Sequence, residues 1–235
     1  MSERFVPQHI AIIPDGNGRW AKSKGMPRTY GHKVGAEVFR RIVKYAAGIS
    51  VKYLSFYAFS TENWRRDDDE VNGLMTLLGN YLVSSRDELD ELGIRLTFSG
   101  RRDELSDSFL KKIDSLVEYT SKNTGMVCNI ALNYGGRDEL VHAMRDIAMQ
   151  VAAGDIRPQD ITEETISQHM FNPDLPDPDM ILRTSGELRT SNFLLWESAY
   201  SELYFTDVLW PDFTESDFDK AISEFNNRHR RFGGV

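Results

Sequence analysis

Cysteine is almost missing from this chain: Cys128 is the only one in 235 residues. No internal disulfide can form, and Met126, Val127 and Ile130 around it mark Cys128 as a small apolar filler in a strand. A basic excess is missing too, with 28 Lys and Arg against 36 Asp and Glu and a formal charge of -8. That excludes a general nucleic-acid binder, which needs surplus cations to displace counterions. Any phosphate ligand must instead be held by a local cluster of arginines. No apolar run approaches the length of a membrane span. Met1-Ser2-Glu3-Arg4 lacks the apolar stretch of a signal peptide. The expectation is a cytoplasmic protein, with peripheral membrane contact left open. Internal repeats, disordered linkers and domain breaks are absent as well, so the expectation is one domain over 1–235. The hydrophobic share of 40% is adequate for its core.

What is present alternates between two periods. His9 to Ile13 is a short apolar run that reads as a buried strand. Lys52 to Ser60, Ile94 to Ser99, Val127 to Asn133 and Asp179 to Arg183 read likewise, and Phe193 to Trp196 is expected to be a sixth. Helical spacing joins Phe39, Ile42, Val43 and Ala46. It recurs from Val71 through Leu92 as one long helix ended by Gly93, at Phe109 to Val117, and at Leu140 to Val151. A short helix is expected at Thr162 to Met170. Thr214 and Asp217 form a capping pair for a last helix carrying Phe218, Ile222 and Phe225. Strands alternating with helices imply an α/β fold: a mostly parallel sheet of about six strands with helices on both faces.

Polar clusters follow four of these strands: Asp15, Ser60 to Arg66, Asn133 to Arg137, and Arg183 to Ser191. In a parallel sheet these ends share one edge, where α/β proteins bind ligands. After β-like His9–Ile13 the chain breaks into Pro14-Asp15-Gly16-Asn17-Gly18. The glycines allow a sharp turn with positive φ, and the amides behind Asp15 suit an anion, phosphate above all. A carboxylate beside a phosphate cradle calls for a cation, and Mg²⁺ takes one or two carboxylates plus phosphate oxygens.

Six motifs together resemble one family. They are Asp15-Gly-Asn-Gly-Arg-Trp20 with Gly31-His-Lys-x-Gly35, Tyr57-Ala-Phe-Ser-x-Glu-Asn-Trp64, Asn133-Tyr-Gly-Gly-Arg137, Arg183-Thr-Ser-Gly-Glu187, Asp207-Val-Leu-Trp-Pro-Asp-Phe213 and Arg230-Arg-Phe-Gly-Gly234. In this order, over nearly the whole chain, they resemble the cis-prenyltransferases of the bacterial undecaprenyl diphosphate synthase type. The resemblance implies a Mg²⁺-dependent enzyme, usually a homodimer. It would extend farnesyl diphosphate with isopentenyl diphosphate through Z double bonds, making a lipid carrier precursor for the cell wall. It implies that Asp15 engages Mg²⁺ and that Glu202 is a second metal carboxylate. Gly16, Asn17, Gly18, Arg19 and Arg28 would cradle the allylic diphosphate, with His32 supporting them. Trp20 and Lys24 fall in the same stretch and are carried over as substrate contacts. Arg183, Arg189 and Ser191 match the isopentenyl diphosphate site, for which arginine forks suit better than lysine point charges. Asn63, with Ser60 nearby, matches the residues that assist proton loss. Glu62, Trp64, Arg66 and Glu70 match the segment that closes over the substrates. Arg230 and Arg231 would reach the partner subunit's site. A growing polyprenyl chain needs an apolar tunnel, walled by the helices near Ala36–Ala47 and Val71–Leu92 and the strands beneath.

Three positions depart from the family pattern. Pro14 replaces a methionine, Leu188 stands where many members place a histidine near the metal, and Leu132 replaces an alanine. If Leu132 faces the tunnel, the product would be shorter than undecaprenyl. On residue type alone, plainer readings exist. Asp15 could satisfy its own turn. Asp67 to Glu70 complements a helix start rather than forming an aspartate-rich metal motif. Trp20, Trp196 and Trp210 read as core, and His9 and His142 as structural. His169 and His229 have no partner at metal-ligand spacing. Tyr134 to Arg137 reads equally as a strand-to-helix turn, with Arg137 in an ion pair, or as a substrate contact. Arg228 to Arg231 would be a solvated helix end in most proteins. Two other functions fit parts of the pattern. A non-catalytic prenyltransferase subunit would lack the metal aspartate and the Gly-Asn-Gly turn, and both are intact. A phosphate hydrolase would need a nucleophile, but there is no Gly-x-x-x-x-Gly-Lys-Ser/Thr loop and no Ser–His or Cys–His pairing.

Overall fold

In the computed structural model, which describes residues 5–228, six parallel strands form one sheet in the order β3-β4-β2-β1-β5-β6. The strands are β1 (His9–Ile13), β2 (Tyr53–Ser60), β3 (Arg95–Ser99), β4 (Val127–Tyr134), β5 (Met180–Arg183) and β6 (Glu202–Phe205). The helices are α1 (Asn17–Ser23), α2 (Arg28–Gly48), α3 (Asp68–Ser84), α4 (Arg86–Glu91), α5 (Asp107–Thr120), α6 (Gly136–Ala153), α7 (Glu163–Ser167) and α8 (Glu215–Asn226). Every residue of β1 is buried, which suits a central strand covered on both faces.

Alternation along the strands sorts the core into two layers. Ile10 and Ile12 of β1, Leu54 and Phe56 of β2, and Met180 and Leu182 of β5 face α2, α4, α5 and α8. Ala11, Ile13, Tyr57 and Ile181 face the other way, against Phe171, Phe193 and Leu194. On that second face α6 joins the cover, since its Glu139 accepts from the Phe171 amide at 3.0 Å. His9 lies there too, buried and pushed down to about 4 by that burial. Its Nε2 and the Ser55 hydroxyl are 2.8 Å apart, so it is a neutral structural side chain.

Two expectations about elements need correction. The long helix is two, α3 and α4, parted at Ser85. Phe193 to Trp196 is not a strand. Ser191, Asn192 and Leu194 hold φ of 50°, 65° and 47°, which no extended chain can follow. Phe193 and Leu194 are buried as loop side chains, and that burial produced the strand-like apolar pattern. The sixth strand is Glu202–Phe205.

The winding reverses at β1. Its neighbour on one side is β2, next in sequence, and on the other β5, reached only after β4. Such a reversal opens a crevice at the carboxyl ends of the strands. Asp15 and Arg183 meet in that crevice.

Candidate active site

At the crevice, Arg183 is 4% exposed and works in two directions. Its Nη2 donates to Asp15 Oδ2 at 3.0 Å, and its Nη1 donates to the Ser191 hydroxyl and the Arg189 carbonyl, both at 2.6 Å. One buried guanidinium therefore fixes the β1 and β5 loops together. Burial pushes the Asp15 carboxyl up. The hydrogen bond and charge of Arg183, the Gly16 amide at 2.7 Å and the Arg19 charge outweigh it and hold Asp15 below its usual range. Asp15 is thus an anion, ready to meet a cation.

Gly16 adopts φ 110°, and the turn of α1 begins behind it. A close approach by α2 holds this loop. A Cβ on Gly35 would stand 2.2 Å from Asn17 Oδ1, and one on Gly31 2.1 Å from the Asn17 carbonyl. The Gly-His-Lys-x-Gly spacing is therefore a packing requirement, with both glycines on one face of α2. Trp210 donates to the Gly35 carbonyl at 2.9 Å and is core, as expected. Pro14 lines the cavity and accepts only a long contact, 3.4 Å, from Asn17.

Arginines surround a polar cavity lined by Asp15, Gly16, Asn17, Gly18, Arg28, His32, Ser60, Glu62, Asn63, Arg66, Arg183, Arg189 and Ser191. Carboxylates hold the forks in place. Glu70 meets Arg66 at 2.9 Å, Arg28 at 3.2 Å and His32 at 3.9 Å. Glu187 meets Arg19 at 3.1 Å and also pairs with Arg189. The forks are thereby held around one space, an arrangement suited to an anion with several oxygens. His32 is driven down to about 4 by burial and by the Arg66 charge, with Arg28 adding to it and Glu70 opposing. It is therefore neutral at pH 7. Its Nε2 is buried without a hydrogen-bond partner.

Asn63 opens toward the same space from the 3-10 turn Thr61–Arg65, its Oδ1 accepting from the Ser60 amide at 3.1 Å. Trp64 is clamped by its indole N–H on Asn133 Oδ1 at 2.7 Å. Asn133 itself has φ 50°, beside a register irregularity that pairs Phe59 with Leu132. The irregularity turns Phe59 and Leu132 into one apolar cluster with α3 and α5.

Beside the polar cavity, an apolar one lies between the sheet and the helices. Pro14, Asn17, His32, Ala58 and Leu74 line both, so the two spaces adjoin across these side chains. Its wall includes Ala36 and Phe39 of α2, Leu78 and Leu82 of α3, and Leu132 of β4. Phe109, Ile113 and Leu116 of α5 complete it. The α5 wall was not expected from the sequence.

Several expected site residues lie elsewhere. Lys24 sits over the Trp20 ring at 5.9 Å and does not line the cavity. Trp20 stacks on Tyr30 and donates to Asp212 at 2.7 Å, a packing role for α1. Glu202 pairs in register with Met180, three residues before the level of Arg183. At a strand rise of about 3.3 Å that is roughly 10 Å below the carboxyl edge. It binds Arg228 at 2.7 Å, and this chain does not bring it to Asp15. Leu188 is 77% exposed and supplies no donor. Arg230 and Arg231 lie outside the described residues. The Asp67–Glu70 run starts α3, with Asp67 capping the Asp69 amide at 3.0 Å. Glu187 and Asn192 were missed; Glu187 was signalled by Arg183-Thr-Ser-Gly-Glu187 and Asn192 only by adjacency to Ser191.

No group of three or more His, Cys, Asp or Glu side chains able to hold a metal exists among the described residues. The donor chemistry nonetheless fits Mg²⁺, which prefers few carboxylates completed by phosphate oxygens. One ionised aspartate faces a space rimmed by arginine side chains and the Gly16–Gly18 turn.

A parallel α/β sheet whose switch point carries an arginine-rich cavity beside an apolar one suits a ligand with an anionic head and an apolar tail. Comparison with known proteins gives the family. Residues 13–233 match the model of the putative undecaprenyl diphosphate synthase family. An isoprenyl transferase of Fusobacterium nucleatum is 50% identical over 233 residues, covering 99% of this chain and 98% of that protein. One from Shouchella clausii is 50% identical over 98% of this chain and 90% of its own length. Lavandulyl diphosphate synthase from Lavandula x intermedia, crystallised with dimethylallyl diphosphate, superposes with TM-score 0.94 at 36% identity, over 97% of this chain and 98% of that one. A probable undecaprenyl diphosphate synthase from Campylobacter jejuni gives 0.80 at 31%, over 97% of this chain and 99% of that one. This chain belongs to the undecaprenyl diphosphate synthase family of cis-prenyltransferases. Among the described residues no helix is long and apolar enough to cross a membrane.

Proposed function

We propose that the chain condenses isopentenyl diphosphate repeatedly with an allylic diphosphate, farnesyl diphosphate first, to make a Z-polyprenyl diphosphate, undecaprenyl diphosphate by preference. The observation that carries this reading is the arginine-lined cavity lying directly against an apolar one, with five residues lining both. A diphosphate head and a growing hydrocarbon tail need just these two environments in contact. Residues 1–235 would act as one catalytic domain.

In the reaction, the allylic C–O bond breaks and diphosphate leaves. A C–C bond forms to isopentenyl diphosphate, which then loses a proton to set the new double bond. The amides of Gly16 to Arg19 and the Arg28 fork hold the leaving diphosphate. Asp15 would hold Mg²⁺, which when bound neutralises charge developing on the leaving group. Arg183, Arg189 and Ser191 hold the second diphosphate. Asn63 assists departure of the proton, and Arg66 and Glu70 close the polar cavity. The tunnel takes the tail and excludes water from the cation-like centre.

Leu132, 3% exposed, lines the tunnel, and it supports a second reading in which the product is shorter. Both readings are tested by incorporation of radiolabelled isopentenyl diphosphate into farnesyl diphosphate with Mg²⁺, with an EDTA control and products resolved by length. Incorporation is expected and EDTA is expected to stop it. Leu132→Ala should lengthen the product by at least one isoprene unit, because removing a buried leucine opens space in the wall. An unchanged ladder would remove Leu132 from length control, and no incorporation with any allylic primer would favour a non-catalytic subunit.

The same reading includes a homodimer. Tyr200 and Leu203 are exposed beside and on β6, an edge strand that pairs with β5 on one side and with no strand among the described residues on the other. Edges of this kind are normally blunted or covered. Light scattering is expected to give twice the chain mass of 26.9 kDa. A monomer at micromolar concentration would sink the dimer. Peripheral contact with a membrane, for release of the apolar product, completes the proposal.

A further inference from the structure

The turn Tyr134-Gly135-Gly136-Arg137 has no direct task in the reaction above. Arg137 is exposed, and its side chain makes no ion pair among the described residues. Its backbone, however, meets one side chain that the family motifs leave unassigned, Asn192. The Asn192 carbonyl accepts from the Gly136 amide at 2.7 Å, and its Oδ1 accepts from the Arg137 amide at 2.9 Å. Its Nδ2 donates to Glu62 Oε1 at 2.9 Å. On one side of Asn192 in sequence stands Ser191, held by Arg183. Beside Glu62 stands Asn63.

Three segments therefore converge on one amide. A Cβ at Gly135 would lie 2.8 Å from both Asn192 Nδ2 and Thr61 Oγ1, so the turn must be glycine to let them meet. Asn192 takes φ 65°, a conformation that Asn and Asp tolerate better than other side chains. Tyr57 adds a second tie, its hydroxyl lying 3.2 Å from the Tyr134 carbonyl and 3.3 Å from the Ser191 carbonyl. An amide is the side chain that can serve this point: it accepts from a backbone N–H and donates to a carboxylate at once.

We infer that Asn192 is a positioning residue that locks the loop carrying Arg189 and Ser191 to the segment carrying Asn63, so that the second diphosphate is bound in register with the group assisting proton loss. The inference rests on the proposed substrates. It assigns the Tyr134–Arg137 turn a function as the anvil of this junction.

The test reverses the polarity of the contact. Asn192→Asp keeps the acceptor for the Arg137 amide and tolerates the backbone, but sets a carboxylate against Glu62. It should raise KM for isopentenyl diphosphate and lower kcat, each by about tenfold, and leave KM for the allylic diphosphate unchanged. Pairing it with Glu62→Gln restores a donor and an acceptor in reversed order. The double variant should recover more than about fivefold over Asn192→Asp, with Glu62→Gln alone as reference. Hydrogen exchange at 60–65 and 135–137, which needs no turnover, should quicken in Asn192→Asp and slow again in the double variant. If Asn192→Asp does not fold, Asn192→Ala carries the same KM and exchange tests. Unchanged kinetics, an equal rise in both KM values, or no recovery in the double variant would overturn the inference. A wild-type protein that incorporates nothing would instead overturn the proposed substrates, and the exchange data would still decide the junction.

Discussion

Asp15→Ala is expected to lower kcat by about a thousandfold or more while the protein still folds. The size follows from losing several kcal/mol of charge stabilisation on the leaving diphosphate. The carboxylate is held ionised by Arg183, the Gly16 amide and Arg19, so alanine removes a full negative charge where Mg²⁺ would bind. Its second effect is on the arginine. Arg183 is buried, and its Nε already lacks a partner. Losing the Asp15 contact leaves another N–H facing the crevice, costing about 1–3 kcal/mol of stability. Asp15→Asn retains an acceptor for Arg183 without the charge. It should therefore recover stability but not turnover. Incorporation of isopentenyl diphosphate, measured beside thermal melts for both variants, separates the two effects. Near-normal turnover in either would sink the metal assignment.

The second large effect is on stability. Glu139 of α6, 1% exposed, accepts from the Tyr134 hydroxyl and from the Phe171 amide. Glu197 lies beside it, within reach of its charge, and Glu197 Oε2 is sealed from solvent with no hydrogen-bond partner. Burial, then the Glu139 charge, pushes Glu197 up to about 8, with Asp177 adding to it. Burial also raises Glu139. At pH 7 the pair shares a proton that an unfolded chain would have released. Between the ordinary glutamate range and pH 8 the folded state binds more protons than the unfolded one, so stability falls as pH rises. The loss runs at up to about 1.4 kcal/mol per pH unit and stops above the folded value. Glu197→Gln supplies an N–H in place of that proton. The variant should melt roughly 5 °C higher at pH 8, and its melting temperature should change less between pH 6 and 8.5 than that of the wild type. Equal slopes in the two proteins would show that the pair holds no extra proton.

Much of this was readable before any coordinates. The parallel α/β class, five of the six strands and the convergence of four polar strand ends follow from apolar runs and from where they stop. Local chemistry of that kind is written residue by residue. Phe193 to Trp196 misled because apolar character reports burial, not conformation. Only the positive φ values at Ser191, Asn192 and Leu194 reveal a buried loop there. The true sixth strand, Glu202–Phe205, is only four residues long and none of them is fully buried, so it carries too weak a pattern.

Position within an element was also beyond the sequence. Glu202 and Asp15 are both carboxylates in family motifs, but register sets them at different heights of the sheet. Lys24 lies one turn past the anion loop and points to Trp20 instead. The sequence alone determined which groups this protein owns: an ionisable aspartate, a set of arginines, an asparagine amide and enough aliphatic surface to wall an apolar cavity. Tertiary structure alone decided that Arg183 is shared between Asp15 and Ser191, that Glu70 gathers Arg28, Arg66 and His32, that α5 closes the tunnel, and that Asn192 joins two loops 130 residues apart. The reason is physical. Composition and periodicity follow from neighbours along the chain, whereas hydrogen bonds between strand ends depend on strand order and register, which are settled only when the whole sheet packs.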